Sequence, residues 1–373
     1  MRGLDYSKPL SLYIHVPFCH SKCDYCAFYS LPEKCTGNIE ISRYISTLSA
    51  QIKAINEDYQ RPFYSIFIGG GNPGILGYEN IMDILKLAEA NGKPEEVTIE
   101  INPEDVNAEI SSLAPYLTRV SVGVQSLNEK TLRTLGRNAS LKNTERALSI
   151  LSSSPFDFNV DLMVAVPGQR IEDVLDDIEG VNKYNPGHIS LYCLTFEEGT
   201  PLIERAIPVG EDVESDILLA AWHKLSSLGF EHYEISNFAK KGKRCKHNMV
   251  YWKLGQYIGL GPSAESSIGY SEIVSMRNTE NLSDYLKDPA FECTPLDTSE
   301  SKEEYLLVAL RINDGIDKDE YRARFGSDFD SEYEHALDSI SQEDYINTDR
   351  TFSLTESGMM KLDRIILTLA LQL

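Results

Sequence analysis

Along the first half of the chain, short runs of β-branched and aromatic residues alternate with longer stretches whose apolar positions repeat at helical spacing. The runs fall at 11–17 (SLYIHVP), 64–69 (YSIFIG), 96–101 (EVTIEI), 119–125 (RVSVGVQ), 158–166 (FNVDLMVAV) and 187–194 (GHISLYCL). Their lengths and residue types predict strands. Amphipathic stretches at 38–57, 78–91, 104–115, 128–136, 141–153 and 170–183 predict helices between them, several opened by a capping residue such as Asn128 or Ser140. Six strand-then-helix units in succession imply an α/β fold with a parallel sheet and right-handed crossovers.

Such a sheet is either open and doubly wound or a barrel, complete or partial. The polar residues favour the barrel. Cys19, Gly69 to Asn72, Glu100 with Asn102, Gln125, Asp161 and Thr195 stand near the C-terminal ends of six successive strands. In a barrel the loops at that end build one shared site, whereas a doubly wound sheet gathers polar residues at a single crossover point. After residue 196 the periodicity loosens: a helix is expected near 213–229, then a glycine- and aromatic-rich stretch over 230–270. From Thr298 onward the chain reads as a small separate unit. The expected organisation is thus residues 1–270, a partial (β/α)6 barrel with an extension, and 271–373, a mainly helical, winged-helix-like domain.

Charge narrows the partners. With 57 acidic against 35 basic residues, the formal net charge is −22, which argues against a nucleic-acid backbone or an anionic lipid surface as the main partner. The basic cluster from Lys240 to Lys246 still offers local attraction for a small anion. No apolar run reaches the roughly 18 residues of a transmembrane helix. The first ten residues lack the apolar core of a signal peptide, so a cytoplasmic protein is expected.

Seven cysteines, at 19, 23, 26, 35, 193, 245 and 293, do not read as a disulfide framework. Cys19, Cys23 and Cys26 form a C-x3-C-x2-C triplet directly after the first strand. A structural zinc takes four protein ligands, its cysteines usually in two separated C-x2-C pairs. Here the next thiol, Cys35, lies nine residues on, so zinc would have to recruit His15 or His20. Thiolates also hold iron–sulfur clusters, and three of them leave one iron of a four-iron cluster with an open position.

The triplet in this setting resembles the radical S-adenosylmethionine family. The flanking sequence resembles its oxygen-independent coproporphyrinogen oxidase-like branch. YIHVPFC, FIGGGNP, IEINPED, VSVGVQSLNEKTLRTLGR, VDLMVAVPGQ, HISLYCLTFEEGTPL, YEISNFAKKG and CKHNMVYWKLGQYIGLGPSA occur in that family's order. With LLVALRINDGI, they extend the resemblance over residues 10–373. The resemblance implies a 4Fe-4S cluster on Cys19, Cys23 and Cys26. It further implies S-adenosyl-L-methionine chelating the open iron through its amino and carboxylate groups and yielding a 5′-deoxyadenosyl radical on reductive cleavage. Tyr13, Tyr25, Gly70, Gly71, Asn72 (a threonine in relatives), Glu100, Gln125, Arg137 and Asp161 match cofactor contacts, and Thr195 is a further match. Taken alone they have plainer readings: strand and loop packing for the tyrosines, a turn for the glycines, a surface arginine and a structural ion pair.

Two branches share this pattern. One is the oxidase, which makes protoporphyrinogen IX by radical decarboxylation of two propionates. The other comprises HemW-type haem chaperones, which bind haem and deliver it to haem-accepting proteins. Three features resemble the second. The cluster loop begins as early as residue 19; Ala27 and Phe28 follow the triplet where oxidases carry a further cysteine; and His247-Asn-Met-Val-Tyr-Trp252 matches an H-N-x-x-Y-W signature. That signature makes His247 the expected haem ligand. Two departures stand beside it, Ala139 and Glu265, where relatives carry histidines. A scaffold that has outlived its cluster is the third class of reading, and the intact triplet with Gly69 to Gly71, Glu100 and Gln125 speaks against it.

Overall fold

The structure, a computed structural model, describes residues 3–373. Twelve strands form one mixed sheet: β1 (Leu10–Val16), β2 (Ser65–Gly70), β3 (Glu96–Ile101), β4 (Arg119–Gln125), β5 (Asp157–Val164), β6 (His188–Cys193), β7 (Glu231–Glu234), β8 (Asn237–Ala239), β9 (Gln256–Leu260), β10 (Glu265–Ile268), β11 (Val274–Asn278) and β12 (Phe291–Pro295). Their order is β12-β11-β10-β9-β1-β2-β3-β4-β5-β6-β8-β7, an unclosed row and hence a partial barrel. β1 to β6 run parallel in sequence order, each followed by helical crossover structure. This is the (β/α)6 core that the hydrophobic runs predict. The strand ends agree with the sequence expectation to within two residues.

The period of two along each strand sorts the side chains into two layers. Leu10, Leu12 and Ile14 of β1, Ile66 and Ile68 of β2, Val97 and Ile99 of β3, and Val120 and Val122 of β4 are fully buried in the core. They share it with helix residues Leu48 and Ile52 of Asn38–Tyr59 and Ile178 of Ile171–Asn182. Each such side chain contributes roughly 1.5–3 kcal/mol on burial. The alternate positions face the other way: Ser11 and Tyr13, Ser65 and Phe67, Glu96, Thr98 and Glu100, Arg119 and Ser121, Asn159 and Asp161, His188, Ser190 and Tyr192. A closed barrel of this kind is usually filled with branched aliphatics. This interior is polar, which suits a container.

Three local differences from the sequence expectation have physical causes. The stretch 104–115 forms two 3-10 segments, Pro103–Asp105 and Ala108–Leu113, in place of an α-helix. Between them the Asn107 side chain accepts from Glu109 N at 2.8 Å, drawing the backbone out of helical pairing. The helix over 128–136 is confined to Glu129–Thr134, because Gly136 turns into the left-handed region (φ 65°) just beyond it. Finally, the glycine-rich stretch contains β9, which pairs in parallel with β1, Leu10 opposite Gln256 and Ile14 opposite Leu260.

From β9 the sheet continues antiparallel through β10, β11 and β12, so a division of the chain at residue 270 falls inside it. Asp297 then caps the helix Thr298–Ala309, its carboxylate accepting from Glu300 N while Glu300 returns a bond to Asp297 N. The remaining chain packs the helices Lys318–Phe325 and Leu362–Ala370 around a small antiparallel sheet of Ile316–Asp317, Thr351–Leu354 and Tyr345–Asn347. Arg324 ties this unit to the barrel, donating to Leu254 O at 3.1 Å and Tyr270 O at 3.2 Å. Among the described residues no helix is long and apolar enough to cross a membrane.

Candidate functional site

The cysteine loop leaves the C-terminal end of β1 and is tied down along its length. Phe18–Cys19 pairs in parallel with Leu31–Pro32, and Cys26 N donates to Cys23 O at 3.2 Å, closing the turn between the second and third thiols. Asp24 N donates to Leu135 O at 3.1 Å, Leu202 N donates to Asp24 O at 2.9 Å, and Arg205 donates to the Asp24 carboxylate. His20 bridges Glu33 at 3.0 Å and Asp105 at 2.9 Å. Two glycines make room. A Cβ on Gly71 would stand 2.4 Å from Phe18 O, and one on Gly136 would stand 2.2 Å from the Asp24 carboxyl carbon.

Above the barrel mouth lies a cavity of about 440 Å³. It is lined by Cys19, Cys23 and Cys26 together with Tyr25, Gly70, Gly71, Glu100, Gln125, Arg137, Asp161 and Thr195. Residues spread over more than 170 positions of sequence thus meet in one place. Among the described residues no three His, Cys, Asp or Glu side chains converge on one ion-sized point. Burial pushes the Cys19 thiol up to about 11 and raises Cys26 as well, so these thiols stay protonated until a metal displaces the proton. The Arg137 guanidinium, 3.6 Å from Cys23 Sγ, adds a cation beside the thiols.

The carboxylates show what else the cavity suits. Burial, then the neighbouring Asp161 charge, pushes Glu100 up to about 8, although Gly70 N donates to it at 3.1 Å. Asp161 lies inside β5, not at its end, and burial raises it too, against hydrogen bonds from Asn159 at 2.6 Å and Ser121 at 3.1 Å. Two desolvated carboxyl groups facing open space favour a cationic ligand. Gln125 has φ 68° at a ladder irregularity, and its Oε1 is buried without a partner. Arg137 donates to Asn102 Oδ1 at 2.8 Å and Gly123 O at 2.5 Å, while its Nε is unpartnered. Positive-φ backbone and unpartnered buried polar atoms gathered at one cavity mark a binding site. The residues present fit S-adenosylmethionine, whose ammonium and sulfonium are cationic and whose carboxylate is anionic.

Three expected site residues lie elsewhere. Tyr13 faces a second cavity deeper in the barrel, its hydroxyl bonded to His15 Nδ1 at 2.9 Å. Asn72 is 1% exposed and braces the rim, donating to Asp105 at 2.6 Å and accepting from Asn102 N at 3.2 Å. His247 closes the opposite, N-terminal end of the barrel. It is fully buried, with Nδ1 bonded to Ser65 Oγ and Nε2 to Tyr251 Oη, both at 2.8 Å, and burial pushes its pKa down to about 3. In this conformation neither nitrogen is free for a haem iron. Met163, Tyr192 and Leu194 also line the mouth cavity. Tyr192 could have been found from its alternation with Ser190 along β6; Met163 carries no such signal.

A family model described as the radical SAM superfamily matches residues 13–180, and one described as the HemN C-terminal domain matches residues 296–360. The chain is 32% identical to a protein of Haemophilus influenzae named heme chaperone HemW, over 96% of this chain and 97% of that one. It is 34% identical to the heme chaperone HemW of Escherichia coli over 73% of this chain and 74% of the relative. Among solved structures, coproporphyrinogen III oxidase (HemN) of Escherichia coli, described as a radical SAM enzyme, superposes with a TM-score of 0.82. That match covers 98% of this chain and 91% of the other at 19% identity, a likeness of fold. With the cysteine triplet and its cavity at the mouth of this barrel, the chain belongs to the radical S-adenosylmethionine superfamily, among the oxygen-independent coproporphyrinogen oxidase-like proteins and similar there to the HemW type.

Proposed function

We propose that this protein is a haem chaperone: it binds a 4Fe-4S cluster through Cys19, Cys23 and Cys26, holds S-adenosylmethionine beside it, and carries haem to haem-accepting proteins in the cytoplasm. The observation that carries the reading is the convergence of the three thiols with Glu100, Gln125, Arg137 and Asp161 on one cavity, in a chain whose likeness to a named heme chaperone spans nearly its whole length.

When bound, the cluster and S-adenosylmethionine supply one-electron radical chemistry. The chain's own part is binding and orientation. Gly70 and Gly71 let the backbone approach closely, Glu100 and Asp161 receive a cation, and Arg137 and Gln125 offer a guanidinium and an amide to a carboxylate or hydroxyl. Phe28, at the cavity lip, is 68% exposed and offers an aromatic face that a porphyrin ring can stack on. We assign haem carriage to this branch without using His247 as the ligand, because ligation there requires the helix Lys246–Trp252 to leave the barrel floor.

The test is haem transfer. The full chain, anaerobically reconstituted, is loaded with haem and mixed with an apo haem protein, and the Soret band is followed. Movement of haem to the acceptor supports the reading. No saturable haem binding overturns it, and conversion of coproporphyrinogen to protoporphyrinogen replaces it with the oxidase activity.

A further inference from the structure

Deeper in the barrel, below the cavity at its mouth, stands a guanidinium with no close ion-pair partner among the described residues. Arg119 opens β4, faces the interior and is 5% exposed. Among the described residues no carboxylate stands within 4.0 Å of it and no side-chain hydrogen bond engages it; Cys245, Glu96, Tyr233 and Asp161 act on it only through longer-range charge. Other buried cations are paired, Lys302 with Glu332 and Lys318 with Asp330 at 2.6 Å. A permanently charged group left unpaired in an interior is costly, and such costs are concentrated at binding sites.

Arg119 borders a chamber of about 230 Å³ whose wall includes Ser121, Asn159, Ser190, Phe67 and Asn248. Asn248 accepts from the Cys245 thiol at 3.4 Å through its Oδ1, which leaves its amide hydrogens for a ligand. Glu100 and Tyr192 line both this chamber and the mouth cavity, so a small molecule enters from above. We propose that the chamber binds a small carboxylic acid, its carboxylate held by Arg119 and Asn248 and its aliphatic part against Phe67. One cation matches one carboxylate. A phosphate dianion would exceed that charge.

The probe is butyrate, titrated calorimetrically into the full chain in a carboxylate-free buffer, with butyramide and inorganic phosphate as comparators. Butyrate is expected to bind one per chain and to raise Tm, and butyramide to do neither. Arg119→Gln should weaken butyrate by at least about tenfold, the loss of a charge-assisted pair of hydrogen bonds. Its own Tm should be lower than that of the wild type, because Glu96 and Asp161, whose charges favour the guanidinium despite its burial, lose that cation. Asn248→Asp puts a carboxylate into the wall of the same chamber and should block butyrate while leaving the circular dichroism unchanged; it decides the matter if Arg119→Gln does not fold. Absence of saturable butyrate binding, equal binding in the variants, or tighter binding of phosphate would overturn the proposal.

Discussion

Replacing Glu100 by glutamine isolates the electrostatic design of the mouth. In the ligand-free protein the Glu100 carboxyl is held at about 8, against an ordinary 4.5, chiefly by burial and secondarily by Asp161. A folded-state pKa raised in this way means that the native state binds more protons than the unfolded chain between those values. Stability from this group is therefore complete below about pH 4.5 and is lost as pH rises through 8. At about 1.4 kcal/mol per pH unit the full gap corresponds to roughly 5 kcal/mol. Solvent reaching the open cavity screens this, so we expect about 2 kcal/mol. Glutamine keeps an oxygen for the bond from Gly70 N but cannot ionise. Denaturant unfolding of the unloaded full chain at pH 5, 7 and 9 should show Glu100→Gln near wild type at pH 5 and about 2 kcal/mol more stable at pH 9. Parallel pH dependences for the two proteins would refute the argument.

Three further outcomes follow from the geometry. Gly71→Ala drives a Cβ against Phe18 O, so it should cost about 1–3 kcal/mol and lower the iron content after reconstitution, both measurable on one preparation. Arg137→Ala leaves Asn102 and Gly123 O without their donor and removes the cation beside Cys23; the cluster should still assemble, while the S-adenosylmethionine concentration needed to alter its EPR spectrum should rise about tenfold or more. His247→Ala strips Ser65 and Tyr251 of a partner and opens a void in the barrel floor, which should cost about 2–4 kcal/mol in denaturant unfolding without changing the cluster's EPR spectrum; loss of the cluster in this variant would show that floor and mouth are not separate.

The sequence is most legible where local pattern and burial coincide. β1 to β6 are nearly continuous apolar-branched runs because one face packs under helices, and their polar alternates mark the interior. The triplet at Cys19, Cys23 and Cys26 is equally plain, since three thiols in eight residues have few other uses. What escapes depends on partners far away in the chain. β9 carries a glycine and is flanked by two more, and it is read as loop until β1 is there to pair with it. Gly259 sits there because a Cβ would meet Glu265 O at 2.1 Å. Asn72 and His247 look like ligands in sequence because both are polar residues in distinctive motifs. Only the fold shows that their hydrogen-bonding atoms are turned to Asp105, Asn102, Ser65 and Tyr251. Arg119 looks like the start of a strand, and its lack of a counter-ion has no sequence signature at all.

The most direct measurement is EPR of the anaerobically reconstituted and reduced full chain, with and without S-adenosylmethionine, beside a variant carrying Cys19→Ala, Cys23→Ala and Cys26→Ala. The account predicts about four irons per chain, a reduced-cluster spectrum that changes when S-adenosylmethionine is added, and neither iron nor signal in the variant. A wild-type protein without a cluster spectrum, a spectrum indifferent to S-adenosylmethionine, or a cluster that survives loss of the three thiols would contradict it.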